Sequence, residues 1–256
     1  MKYPVFVKVL LIVLSFYLIL KSANAGSFSA VPAKVYLSSD QKSAVLKIKN
    51  DGGEKLTLQV NTVKWIQDEK GNDRFEDTDE IVYFPRIMTL EKGEEKLLRI
   101  GYKSDKTMDS EKTFRLFIRE LPVSKPGEKM LKVTLRLAIP VFISPKKIEK
   151  KIELESIEIF DMKLLVRVTN WGNSHVLVER IVSTGYDDKG GVSFKKETPG
   201  WYILAGLKRT FSIELSEEEC LNTRSVKITV KSEDLDEVEL NTEMNGSGCV
   251  QSPTGL

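Results

Sequence analysis

Met130 to Pro145 reads MLKVTLRLAIPVFISP. Leu131, Val133, Leu135, Leu137, Ile139, Val141 and Ile143 hold the odd positions, and Lys132, Thr134 and Arg136 begin the even ones. The alternation has period two, which sets one apolar row on one face of a β-strand. A typical strand runs about five to six residues, so a row this long exceeds what one sandwich core needs. Either the strand passes from one packing partner to another, or part of its row is left for another chain.

Upstream, shorter runs of the same kind recur. Val31 to Leu37, Ala44 to Lys49 and Leu56 to Ile66 read as strands, with Asn50-Asp51-Gly52-Gly53 as the turn between the second and third. Gln67 to Glu80 is polar and acidic and reads as a loop. Ile81 to Leu90, Lys96 to Lys103 and Thr113 to Leu121 follow as strands, with Pro85 marking an edge or a bulge. Met130 to Pro145 is then the seventh, the strand count of an immunoglobulin-like sandwich. The charged stretch Lys146 to Lys151 reads as a short linker. Beyond it, Ile152 to Phe160, Lys163 to Thr169, Val176 to Tyr186, Gly191 to Lys196, Trp201 to Leu204, Arg209 to Leu215, Ser225 to Lys231 and Glu237 to Asn241 read as a second, smaller sandwich. The expected fold class is all-β, with two immunoglobulin-like β-sandwich domains over residues 26–145 and 152–245.

Residues 1–25 read as a secretory signal: Lys2 and Lys8 precede the apolar run Val9 to Leu20, and Ala23-Asn24-Ala25 has the small-x-small pattern of a cleavage site. The run is well short of the roughly twenty residues that span a bilayer, so no membrane insertion is expected once it is removed. The 231 residues that remain carry 36 basic and 37 acidic side chains, a net charge of −1. That balance offers no whole-protein argument for nucleic acid. Cys220 and Cys249 are the only cysteines. In an oxidising compartment they either close a loop or remain two thiols, and the sequence leaves both open.

Catalytic chemistry is missing. His175 is the only histidine, and no nucleophile elbow, phosphate-binding loop or dinucleotide fingerprint occurs. No enzyme, cofactor or metal is expected. His175 reads as the cap of a turn in Asn170-Trp171-Gly172-Asn173-Ser174-His175, Trp65 as sandwich core, and Glu217-Glu218-Glu219 as solvated loop.

Four blocks then carry a resemblance: Phe28 to Leu37; Phe84-Pro85-Arg86-Ile87 with Leu90 to Glu95 and Leu98-Arg99-Ile100; Phe117-Ile118-Arg119-Glu120-Leu121-Pro122; and the strand ending Ile139-Pro140-Val141-Phe142. In this order behind a signal, they resemble the PapD-like periplasmic pilus chaperones of the chaperone-usher pathway. The Ile-Pro-Val-Phe ending is similar to the non-classical, archaic-like branch. The second half matches more loosely, through Asn170 to Asn173 and Leu204-Ala205-Gly206.

The resemblance implies two domains set at an angle, a periplasmic location, and pilus subunits and an outer-membrane usher as partners. It implies that Leu131, Val133, Leu135 and Leu137 form a donor row that completes a subunit's sheet. It also implies an anchor for the subunit's terminal carboxylate made by basic residues on the first and seventh strands. Lys34 matches the first position. Pro140 holds the second and cannot bind a carboxylate, so Arg99 and Arg136 join Lys34 as candidate anchors. Arg119 and Glu120 match the family's interdomain ion-pair residues. The competing expectation is a structural surface or pilin-like adhesion protein, which would be one incomplete sandwich with an N-terminal donor extension.

Overall fold

A computed structural model describes residues 28–104, 107–122, 134–244 and 249. The first domain consists of β1 (Phe28–Val31), β2 (Val35–Leu37), β3 (Ser43–Asn50), β4 (Leu56–Gln67), β5 (Asp73–Asp77), β6 (Ile81–Phe84), β7 (Ile87–Leu90), β8 (Glu95–Tyr102), β9 (Lys112–Leu121) and β10 (Arg136–Ile143). One sheet has the order β1-β3-β8-β6. The facing sheet has the order β2-β10-β9-β4-β5, with β7 also on β4. Alternation selects the core: Leu46 and Ile48 of β3, Leu58 and Val60 of β4, Leu98 and Ile100 of β8, and Leu116 and Ile118 of β9 turn inward and meet as one cluster.

Two strands change sheets, and both do so at a proline. β1 and β2 are separated by Pro32 and lie in opposite sheets, as do β6 and β7 across Pro85. A residue without an N–H suits the point where a chain leaves one ladder for another. The edge or bulge expected at Pro85 is thus a sheet switch. The loop expected over Gln67 to Glu80 contains β5, which pairs with the far half of β4 at Trp65↔Phe75 and Val63↔Asp77. Its sequence, DRFED, is polar because most of this edge strand is exposed, so no apolar alternation marks it.

The second domain holds β11 (Ile152–Phe160), β12 (Lys163–Asn170), β13 (Val176–Tyr186), β14 (Val192–Pro199), β15 (Tyr202–Ile203), β16 (Lys208–Glu214), α1 (Glu217–Asn222), β17 (Ser225–Ser232) and β18 (Val238–Glu243). Its sheets run β11-β12-β16 and β14-β13-β17-β18, with β15 on β13. No strand pairs across the two domains among the described residues. Glu217, Glu218 and Glu219 form the first turn of α1 rather than a loop. Ser216 and Glu219 make a capping box, and the three acids lie at the positive end of the helix. Cys220, buried on α1, is disulfide-bonded to Cys249. On the chain-entropy estimate a loop of this length contributes about 3.5 kcal/mol. No described helix is long and apolar enough to cross a membrane.

Candidate functional site

β10 is a strand with two environments. Ile139, Val141 and Ile143 point into the first core and are 4%, 0% and 0% exposed, while Leu135 and Leu137 in the same row are only half-buried against it. Leu131 and Val133 lie outside the described residues. On one side β10 pairs with β9 along its whole length. On the other, β2 covers only Val141 to Ile143.

The backbone direction follows from one bond. Glu120 N donates to Leu135 O at 3.0 Å, so the odd residues of β10 turn their N–H and C=O groups to β9 and the even ones turn theirs away. Ser144 N, on the even side, accordingly donates to Leu37 O at the end of β2. Arg136 and Ala138 therefore present backbone groups at an edge with no partner strand among the described residues. Pro140 sits on that same side, so its missing N–H costs nothing in the ladder with β9.

The even side chains of β10 lie on the outer face of the sheet. There Phe142 stands beside Thr113, Pro140 beside Arg115, Ala138 beside Phe117, and Arg136 beside Arg119. The second domain covers the Phe142 and Pro140 end. Trp65, Phe142, Tyr202 and Leu204 form a buried cluster drawn from both domains. Gln67 Nε2 donates to Tyr202 O at 2.9 Å and Gln67 Oε1 accepts from Leu204 N at 3.0 Å. Trp201 Nε1 donates to Asp73 Oδ2 at 2.9 Å, and Arg209 bonds Gly71 O. Trp65 is thus buried on the outer face against the second domain rather than in the sandwich core.

His175 does not cap a turn. Its ring stacks on Phe142 with centroids 3.6 Å apart, and its Nδ1 lies 2.8 and 3.0 Å from the two carboxylate oxygens of Glu111. Glu111 also accepts from His175 N and Ser174 Oγ, and its side chain is 1% exposed. Asn173 O in turn accepts from Glu111 N at 2.8 Å. The segment Asn170 to His175 is therefore the second domain's joint. Asn170 Nδ2 ties it to Ser174 O and Ile203 O. At Gly172 a Cβ would meet Glu149 O at 2.3 Å, so the segment needs glycine to pass the linker.

Two cations flank Tyr202 in the cleft. Lys34, at the sheet switch between β1 and β2, donates to Glu233 of the second domain at 2.7 Å. Desolvation pulls the Lys34 pKa down, but the Glu233 hydrogen bond and the Tyr202 and Tyr36 hydroxyls outweigh it, and the pKa is raised. Arg115 is 5% exposed, with its guanidinium 3.6 Å from the Trp65 ring and 5.5 Å from that of Tyr202. Burial lowers its pKa, opposed by the charge of Asp73. No carboxylate forms an ion pair with Arg115 among the described residues. For Tyr202, burial raises the pKa against the opposing pull of Lys34 and Arg115.

The remaining expected site residues separate. Arg136 and Arg119 are neighbours at the open end of β10. Arg119 Nε donates to Gln59 Oε1 at 2.8 Å within its own sheet. Arg119 is therefore not part of the contact between domains, which runs through Glu111, Gln67, Asp73 and Arg115. Glu120 follows at the Leu58 register, on the opposite face. Arg99 is exposed on β8, opposite Val45 and Phe84, so it belongs to the other sheet and faces away from the cleft. Arg115 and the Glu111–His175 pair had escaped the sequence reading. The one available signal was the alternation that sets Thr113, Arg115 and Phe117 on one face of β9; that this face is buried depends on the second domain.

Residues 27–149 match the family model described as pili and flagellar-assembly chaperone, PapD N-terminal domain. The first domain therefore belongs to the PapD-like pilus chaperones. That is a family of periplasmic chaperones rather than of enzymes. Solved structures share the two-domain fold. A chain of the CsuC-CsuE chaperone–tip adhesion subunit pre-assembly complex, from the archaic chaperone-usher Csu pili of Acinetobacter baumannii, is 17% identical, with a TM-score of 0.60 over 86% of this chain and 98% of that one. The YadV chaperone is 16% identical, with a TM-score of 0.57 over 85% and 100%. A chain of the Salmonella enterica SafA pilin–SafB chaperone complex is 14% identical, with a TM-score of 0.53 over 87% and 98%. No curated protein matches the chain.

Proposed function

We propose that this protein is a periplasmic chaperone that captures pilus subunits by adding β10 to their incomplete sheet and delivers them to an outer-membrane usher. The observation that carries the reading is the uncovered edge at Arg136 and Ala138, beside an apolar row that loses its cover from Ile139 back to Leu135. Strand addition uses these two features together: edge backbone groups bond the partner, and alternate side chains enter its groove. An apolar strand with an open edge is otherwise an aggregation liability, so a partner that covers it has a physical reason to stay bound. Leu131, Val133, Leu135 and Leu137 are the donor row of this proposal. The domains of the proposal are residues 26–145 and 152–245, behind a signal over 1–25.

The terminal carboxylate of the subunit is assigned to Lys34 and Arg115, the two cations flanking Tyr202, with Arg115 beside the Pro140 position. Co-expression with a pilus subunit, followed by pull-down, tests the reading. Leu135→Asp with Leu137→Asp is expected to abolish the complex while the chaperone stays folded by circular dichroism. A complex of unchanged yield would refute strand donation.

A further inference from the structure

Arg119 and Arg136 face each other directly in the β9–β10 ladder. Like charges at directly opposed positions are destabilising, and a fold ordinarily places a carboxylate nearby. Here none is bonded to either guanidinium among the described residues. Arg136 lies instead over the ring of Phe117, with its Cζ 3.7 Å from the centroid. Arg119 is steadied by Gln59, through Nε at 2.8 Å and a second bond from Nη2. Together with Asn61 these residues line an open pocket of about 330 Å³, with no acidic side chain among its described lining residues. Two positioned cations, uncompensated among the described residues, thus sit beside the stretch of β10 that no described strand covers.

We infer that this pocket receives an acidic side chain, Asp or Glu, carried by the subunit strand that pairs with β10. The inference rests on the strand-addition reading above. A strand added at the Arg136 and Ala138 edge extends the sheet, so its residue opposite Arg136 projects from the same face, with the two Cβ atoms about 4.5 to 5.5 Å apart. Arg136 then has the carboxylate as its neighbour on one side and Arg119 on the other. A shared anion converts the repulsion between the two arginines into attraction, and Arg guanidinium groups bind carboxylates in a defined geometry. The site is separate from the Lys34 and Arg115 cleft: it reads a side chain within the paired strand, so it selects among subunits by charge at one register position.

The test uses the full-length chaperone bound to a co-expressed pilus subunit. Arg119→Glu with Arg136→Glu is expected to speed dissociation of the complex by about tenfold or more at low salt. Arg119→Lys with Arg136→Lys, which keeps the charge, is expected to lie much closer to the wild type. Dissociation of the wild-type complex is expected to accelerate with salt, and that of the doubly reversed variant to slow. A single Asp or Glu→Lys change in the subunit strand that cross-links to β10 is expected to restore the reversed chaperone. Wild-type dissociation by the reversed variant overturns the inference, as does failure of every such subunit change to restore it. Leu135→Asp is run in parallel. If that variant still captures subunit, the strand-addition reading itself has failed; if it does not, a negative result with the arginines counts against the pocket alone.

Discussion

The two ends of β10 share one alternation and one neighbour, β9, yet differ in nearly everything else. From Ile139 to Ile143 the odd side chains fill the first core, the backbone is paired on both sides from Val141 onward, and Phe142 on the other face is sealed under His175. Around Leu135 to Ala138 the same row is half-covered, and among the described residues the edge is open and the other face carries two arginines without a carboxylate. The contrast teaches that a period-two pattern specifies which residues share a face but not what lies against it. That is decided by β2, which ends its cover at Val141, and by the second domain, which reaches only as far as Pro140 and Arg115.

The comparison can be broken most sharply by putting the same charge at both ends. Val141→Asp buries a carboxyl in a dry core, where it must stay protonated or unpaired, at a cost on the order of 5 kcal/mol. That is comparable to the whole stability of a domain, and urea titration is expected to find the first domain unfolded or nearly so. Leu135→Asp, at the half-covered end, is expected to cost about 1 kcal/mol and leave a cooperative transition. Equal losses at the two positions would erase the distinction.

A smaller effect is expected on the other face. His175→Ala removes the ring stacked on Phe142 and one donor to a carboxylate that is almost wholly buried, at a cost of about 2 to 3 kcal/mol. Limited proteolysis of the linker between Ile143 and Ile152 should accelerate, while an Arg136→Ala control at the open end leaves it unchanged.

The smallest effect is electrostatic. The Lys34 pKa is raised in the folded protein, so the Lys34–Glu233 contribution is complete below pH 10.5 and is lost as the pH climbs through the raised value. Stability measured from pH 7 to 10 should therefore not differ between Lys34→Ala and wild type in its slope. The gap between them should close only above that range.

Much of the fold was legible because sandwich cores are built by alternation. The runs from Leu56 to Ile66 through Ser225 to Lys231 read as strands contain strands, except that Ile81 to Leu90 is two strands in opposite sheets and residues 130–133 of the seventh run lie outside the described ones. β5 was missed because an exposed edge strand buries little apolar surface, and α1 because six residues are too short for a helical period. The site was legible only in part. Strand geometry places Arg136 and Pro140 on one face from sequence alone, and that held in the ladder. His175 and Glu111 are 64 residues apart, and Arg99 lies on the sheet away from the cleft while Lys34 sits at the switch between the two sheets. Such pairings depend on how two domains and two sheets come together, which no local period encodes.

The most direct test of the central claim is amide hydrogen exchange on β10 with and without bound subunit. In the free chaperone, the amides of Leu137 and Ile139 face β9 and should already be protected, while those of Arg136 and Ala138 face the open edge and should exchange quickly. On complex formation the account predicts strong new protection at Arg136 and Ala138 and little change at Leu137 and Ile139. A stable complex in which Arg136 and Ala138 continue to exchange as in the free protein would contradict it.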